Sequence, residues 1–249
     1  MFADKFLHKL GSYTERLITE RTAGGKTAFF ETESFPWVHG FEGNWRTIRG
    51  ELDGLLAEGT AIPNFQDLSK EQAKLTQGEQ WKTFFFHAYG HKADANCARC
   101  PQTARLLETI PGMKTAMFSI LAPGKHIPEH CGPYKGVLRY HLGLIVPEPE
   151  GACRIRVRDE VRSWKEGHSL VFDDSYLHEA WNDSDGVRVV LFVDVVRPLP
   201  FPISLLNRFM LLLISSSPGV RAAMENIVRP ASNPQPLQPD QPAGKEMPA

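Results

Sequence analysis

Apolar residues near the start of the chain recur at Phe2, Phe6, Leu7, Leu10 and Leu17, close to helical spacing, until Gly24-Gly25 breaks the pattern. This predicts an amphipathic helix over about 1–22. A second stripe, Trp45, Ile48, Leu52 and Leu55, follows Asn44, a residue type that caps helix N-termini, and predicts a helix packed on one face. From Lys82 the texture changes. TFFFHAYG, TAMFSILAPG, GVLRYHLGLIVPEPEG, CRIRVRDEVRSW, SLVFDD and VRVVLFVDVVRPLP are rich in β-branched and aromatic residues and are punctuated by Pro and Gly, as strands joined by turns are. No helix-length segment separates them between Thr115 and Arg197, which argues against a parallel βαβ sheet and for an antiparallel, mainly β jelly-roll with flanking helices.

Beyond Arg197-Pro198, helices are expected from about Ser204 to Ile214 and again near Arg221 to Val228. The run FMLLLI is far short of the ~20 apolar residues a spanning helix needs. The segment 201–220 is therefore no transmembrane span, but an amphipathic helix that rests on a membrane surface or on the domain. The tail from Arg229 holds six of the nineteen prolines, and its composition predicts disorder. The expected organisation is an N-terminal helix and lead-in (1–35), a β domain (36–200), an apolar helical segment (201–228) and a Pro-rich tail (229–249).

Charge and cysteine content narrow the partners. Lys plus Arg number 28 against 29 Asp plus Glu, a net charge of −1, so there is no global attraction to nucleic acid. Four cysteines in 249 residues make no disulfide framework, and the N-terminal stretch lacks a continuous apolar signal core, from which a cytoplasmic location is expected.

Two local motifs fail on context. His126-Ile127-Pro128-Glu129-His130 matches the inverted zinc-protease string, but Pro128 denies it the helix that chemistry requires. Cys97-Ala98-Arg99-Cys100 is a lone CxxC without two further ligands at matching spacing. More informative are His130 and His178, both at expected strand ends, where sheet closure can assemble a metal site. Arg188 stands in an almost wholly apolar strand, and a guanidinium cannot shed its charge to escape burial. Alternation turns Arg139 and His141 to one face of their strand, with Leu138, Tyr140, Leu142 and Leu144 on the other. Two arginines and a histidine facing inward suggest a small diacid bound inside the β domain. The alternative is internal salt bridges, such as Arg188 with Asp194 on the same face.

At these residues the chain resembles the aspartyl/asparaginyl β-hydroxylase family of iron(II)- and 2-oxoglutarate-dependent oxygenases. The stretches PGKHIPEHCGP, LRYHLGL, WKEGHSLVFDDSYLHEAWNDSDG and RVVLFVDVVRP carry the resemblance in order and spacing, with weaker likeness at Asn44-Trp45, Glu51-Leu52, Gln80-Trp81-Lys82-Thr83 and Leu106-Leu107-Glu108. It extends over about residues 36–198. The resemblance implies a double-stranded β-helix (jelly-roll, cupin-like) core, Fe(II) as cofactor, and 2-oxoglutarate and O2 as cosubstrates. It makes His130 and His178 the iron ligands, sets Arg139 and His141 at the C1 end of 2-oxoglutarate and Ser119 and Arg188 at its distal carboxylate, and has Trp81 line the same site.

The resemblance also implies a site without the usual third carboxylate, because Gly132 stands two residues after the first histidine, as in family members that act on proteins. The family's lipid A hydroxylase branch keeps an aspartate there. Because an added carboxylate completes a common ferrous site, Gly132→Asp is expected to be tolerated or to tighten iron binding, provided Gly132 does not take a positive-φ conformation. The implied reaction is hydroxylation at the β-carbon of Asp or Asn in a peptide or protein. A lipid acyl chain or a free amino acid is the alternative substrate, and a non-catalytic dicarboxylate sensor the alternative outside the enzyme class. Cys97 matches one cysteine of a bridged pair in the animal enzymes while the other falls on Ala104, which sets the substrate-covering loop apart.

Overall fold

The computed structural model describes residues 2–59, 61–68, 76, 78, 80–217, 220 and 221. Helix α1 runs Phe2–Arg21, as its apolar spacing predicts. After a short strand β1 (Phe29–Phe30) come α2 (Val38–Gly43) and α3 (Trp45–Ala57), the latter burying Ile48, Leu52 and Leu55. Asn44 does precede α3, but its side chain makes no cap. Its amide donates to the Gly40 carbonyl at 2.8 Å, because α2 ends one residue earlier and claims it.

Helix α4 (Phe65–Leu68) precedes strands β2 (Trp81–Ala88) and β3 (His91–Lys92), and α5 (Asp94–Arg99) and α6 (Pro101–Leu107) follow. These short helices were not expected. Each is too short for a periodic stripe to stand out. The remaining strands are β4 (Met113–Leu121), β5 (His126–His130), β6 (Val137–Ile145), β7 (Cys153–Val157), β8 (Glu160–Ser163), β9 (Ser169–Phe172), β10 (His178–Asn182) and β11 (Arg188–Val196), and α7 (Ile203–Ser215) closes the order. The tail from 229, and all of the helix expected over 221–228 except Arg221, lie outside the described residues.

The strands form two antiparallel sheets, β1-β9-β6-β11-β4-β2-β3 and β5-β10-β7-β8, the double-stranded β-helix arrangement. The large sheet is buried on both faces. Leu138, Tyr140, Leu142 and Leu144 of β6 and Val189, Leu191 and Val193 of β11 pack outward against α2, α3 and α6. A fully buried Leu or Val of this kind contributes about 1.5–3 kcal/mol relative to exposure.

The opposite face looks into the space between the sheets, where Trp81, Phe85, Met117, Phe172, Val190 and Phe192 meet Ile155, Val157 and Ala180 of the small sheet. Period-two alternation therefore sends Arg139 and His141, and likewise Arg188, into that inner space. One buried ion cluster fixes the strand ends. Asp173, just past β9, accepts from Lys135 Nζ at 2.7 Å and from Arg197 Nη1 at 2.6 Å, tying the entry to β6 and the exit from β11 to one carboxylate.

Candidate active site

His130 ends β5 and His178 begins β10, and the register places them directly opposite each other. Their ring centroids are 4.1 Å apart. Each Nδ1 is held by a carbonyl of its own strand approach, His130 by Pro128 O at 2.9 Å and His178 by Tyr176 O at 2.8 Å. A ring nitrogen facing a carbonyl must donate, so both protons sit on Nδ1 and each Nε2 carries the ring's lone pair. That is the orientation carbonyl partners impose on metal-binding histidines. Burial lowers both pKa values, that of His178 to about 3 with further help from His130 and Arg139, which keeps the pair neutral and able to ligate. His178 is 3% exposed, a buried side chain.

An extra residue in β5, opposite the step between His178 and Ala180, separates the two histidines of the HIPEH string. Such a bulge re-aims side chains. His126, which four residues of regular strand would put on the same face as His130, instead bonds Glu179 Oε2 at 2.8 Å and stacks on Trp181. The protease string is thus excluded by strand geometry as well as by Pro128.

Inward from the histidines runs a line of ring contacts. Phe172 lies 6.3 Å from His178 and 5.0 Å from His141, and His141 lies 5.8 Å from Trp164. The Arg188 guanidinium sits 4.4 Å above the Trp164 ring and donates to Ser119 O at 3.5 Å. Trp81 Nε1 donates to Ser119 Oγ at 3.1 Å, which brings these two residues to the same end.

Along this line the polar atoms are orphaned. Both ring nitrogens of His141, Trp164 Nε1, Thr83 Oγ1 and Arg188 Nε are buried with no partner among the described residues. Unsatisfied buried groups are rare, and each costs about 1–3 kcal/mol. Arg188 is 2% exposed, and no carboxylate among the described residues pairs with it. Burial without a counter-charge pulls its pKa down to about 10, leaving it a cation at neutral pH. The salt bridge with Asp194 considered from the sequence does not form. Six residues of strand separate the two by about 20 Å at ~3.3 Å per residue.

Asp194 is instead the partner of Arg139. Arg139 Nε lies 2.9 Å from Asp194 Oδ1, and Arg139 Nη2 lies 2.8 Å from Asp174 Oδ2. Of the two inward-facing arginines, Arg139 is therefore committed to internal carboxylates and Arg188 is free to take an anion. Burial, with Asp194 and Asp173 adding negative charge, raises the Asp174 pKa to about 7 against the opposing pull of Arg139.

Asp174 also explains Gly132. The Gly132 N–H donates to Asp174 O at 2.7 Å, and a Cβ at position 132 would fall inside the van der Waals radius of Asp174 Oδ2. A side chain at position 132 therefore forces Asp174 to shift, which counts against the expected tolerance of Gly132→Asp. Asp174, Trp164 and Thr83 were not singled out from the sequence. An aspartate pair at the end of the run SLVF and a tryptophan within the largely polar stretch EVRSWKEGH were the signals available.

A cavity of about 140 Å³ opens beside this centre. Arg139, Asp174 and Asp194 form its polar end, and Phe85, Met117 and Phe192 with Leu211 and Ile214 of α7 form apolar walls. Among the described residues no group of three or more His, Cys, Asp or Glu side chains could hold a metal, so a metal bound at this pair would take the two histidines as its ligands from those residues. The donor set fits Fe(II) completed by non-protein oxygen ligands, and the unpaired Arg188 fits the distal carboxylate of a diacid.

Comparison with known proteins identifies the family. The Aspartyl/Asparaginyl beta-hydroxylase family model matches residues 42–198. The chain is 42% identical over 222 residues to an ornithine lipid ester-linked acyl 2-hydroxylase of Rhizobium tropici, covering 89% of this chain and 79% of that protein. It is 36% identical over 175 residues to the human aspartyl/asparaginyl beta-hydroxylase, covering 68% of this chain but only 22% of that much longer protein. Among solved structures, an oxidoreductase of the 2OG-Fe(II) oxygenase family from Burkholderia pseudomallei superposes with a TM-score of 0.39 at 12% identity, over 51% of this chain and 74% of that one. With a facing histidine pair, a family match over most of its length and a relative at this level of identity, the chain belongs to the aspartyl/asparaginyl β-hydroxylase family.

Proposed function

We propose that this chain is an iron(II)- and 2-oxoglutarate-dependent hydroxylase of an ester-linked lipid acyl chain, acting at carbon 2. The observation that carries the cosubstrate is Arg188, a fully buried cation with no carboxylate partner among the described residues, lying beyond a histidine pair whose Nδ1 atoms are held by carbonyls. Iron bound there, with 2-oxoglutarate and O2, supplies the oxidising power for insertion of one oxygen atom into a C–H bond, with succinate and CO2 as coproducts.

The chain's own residues do the rest. His130 and His178 hold the metal through Nε2. Arg188, backed by the Trp164 ring and set beside Ser119 and Trp81, grips the distal carboxylate. His141 and Trp164 offer their unpartnered nitrogens to the cosubstrate. Arg139 is held by Asp174 and Asp194, so its part at the C1 end requires release from Asp174 or sharing with it.

For the substrate, the sequence left a peptide side chain, an acyl chain and a free amino acid. The acyl chain is supported by the apolar walls of the cavity and by the lipid hydroxylase matched over most of both chains. The test is anaerobic loading with Fe(II) and 2-oxoglutarate, then air, with succinate quantified and products weighed. Gain of one oxygen on the ester-linked acyl chain of an ornithine lipid, and none on Asp- or Asn-containing peptides, is the expected result. The reverse pattern would return the peptide β-carbon as substrate, and succinate formation without Fe(II) would refute the iron centre.

A further inference from the structure

Helix α7, ISLLNRFMLLLIS, is apolar around nearly its whole circumference, yet only half of it is covered. Helices of that kind are ordinarily buried on every side. The inner arc is in use: Asn207 donates to Gly136 O at 2.9 Å, and Met210 packs against Gly11 of α1. The outer arc carries Leu205, Phe209 and Leu212, which are 63%, 49% and 64% exposed. Their i, i+4, i+7 spacing sets them in one line, and Phe201, 82% exposed, stands just before the helix.

Three features identify what covers this line. The flank of α7, at Leu211 and Ile214, is a wall of the cavity whose polar end is Arg139, Asp174 and Asp194, so the helix is shared between the outer surface and the approach to the site. Helix α7 has no acidic side chain, and its one charged residue, Arg208, is exposed three residues after Leu205 and four before Leu212, on the same arc. At about 20 Å for its thirteen residues it is too short to cross a bilayer, and no helix among the described residues can cross one. An apolar stripe interrupted by a cation suits a leaflet with anionic headgroups, where the arginine reaches phosphate while its neighbours enter the acyl layer. A second copy of the chain suits it poorly. That contact would bury Arg208 of each copy in an apolar seam with no carboxylate on either helix to meet it.

The geometry points to α7 as an in-plane docking helix for an anionic phospholipid surface, with Leu205, Phe209 and Leu212 in the acyl layer and Arg208 at the phosphates. Docked this way, the protein takes an acyl chain from the leaflet along Leu211 and Ile214 into the cavity without exposing it to water. The docking stands on the surface of α7, while the identity of the cavity's occupant rests on the acyl-hydroxylase reading.

The test is cosedimentation of the full-length chain with sucrose-loaded vesicles of phosphatidylcholine and phosphatidylglycerol. Wild type should sediment increasingly as phosphatidylglycerol is added, and Arg208→Glu should lose that dependence. A Leu205→Ser, Phe209→Ser, Leu212→Ser variant alters only exposed side chains. It should keep the wild-type circular dichroism and 2-oxoglutarate affinity while partitioning at least about a hundredfold more weakly, at roughly tenfold per large apolar group. Wild type remaining in the supernatant at every composition, or a triple variant that sediments equally, would overturn the docking. So would a wild-type dimer without vesicle binding that dissociates in the triple variant, since a second copy would then own the face. A water-soluble short-chain acyl ester separates the two proposals: vesicle binding without oxidation of acyl substrate in any form overturns the hydroxylase reading and leaves the docking standing.

Discussion

Replacing Arg188 by Met separates a cosubstrate anchor from a structural ion pair, because the two roles predict opposite effects on the empty protein. Arg188 is 2% exposed, its Nε has no partner, and its contacts are the Trp164 ring at 4.4 Å and Ser119 O at 3.5 Å. The cation–π contact is worth about 0.5–2 kcal/mol, and the uncompensated burial of charge acts against it. Met fills similar volume without charge, so the stability of the empty protein should change by less than about 1–2 kcal/mol in either direction, where breaking a buried salt bridge would cost about 3–5 kcal/mol. Binding should respond strongly. A charged hydrogen bond contributes about 1.5–3 kcal/mol, so affinity for 2-oxoglutarate should fall at least about tenfold to a hundredfold. At a cosubstrate concentration of a hundred times the wild-type Kd, the ~2.7 kcal/mol of ligand stabilisation should fall to about 0.4–1.4 kcal/mol in the variant. Urea unfolding with and without 2-oxoglutarate, beside anaerobic calorimetry, measures both quantities. A loss of about 3 kcal/mol or more without ligand, together with unchanged 2-oxoglutarate affinity, would refute the anchor. Arg188→Lys keeps the charge but loses the planar fork and should still raise the cosubstrate KM by about one to two orders of magnitude.

Gly132→Asp should be destabilised by about 1–3 kcal/mol through overpacking against Asp174, with Asp174→Ala in the same chain relieving the cost; denaturant midpoints of the single and double variants decide it. Trp164→Phe keeps a ring under Arg188 but removes an N–H that has no protein partner, so calorimetry should show 2-oxoglutarate binding about two- to tenfold weaker at nearly unchanged stability without ligand, and a pure stability loss would make Trp164 a packing residue only. Burial raises the Cys100 thiol from about 9 to about 12 and also pushes the Tyr134 and Tyr140 hydroxyls upward. The folded chain then keeps protons that the unfolded chain releases, so stability should be intact below about pH 9 and decline between pH 9 and 12, and a flat urea midpoint across that window would contradict it.

The pattern of apolar and polar positions by itself determined the class of fold. Alternation in Val137–Ile145 and Arg188–Val196, with no helix-length insert between strands, argues against a parallel sheet and for an antiparallel sandwich or barrel, and it turns Arg139 and His141 to one face of their strand. The stripe of α3 was equally legible, since Ile48, Leu52 and Leu55 fall on one side by helical period alone. Partnership was not legible, because it depends on sheet register and strand ends far apart in sequence. Only the closed fold gives Arg139 to Asp194 and Asp174, leaves Arg188 without a carboxylate partner among the described residues, and sets Asp174 where a side chain at position 132 would meet it. Likewise, one extra residue in β5 decided which histidine of HIPEH faces His178. The sequence set which side of each strand a residue occupies; the tertiary structure, through register, bulges and competition between buried charges, decided which residues meet and which remain available to a ligand.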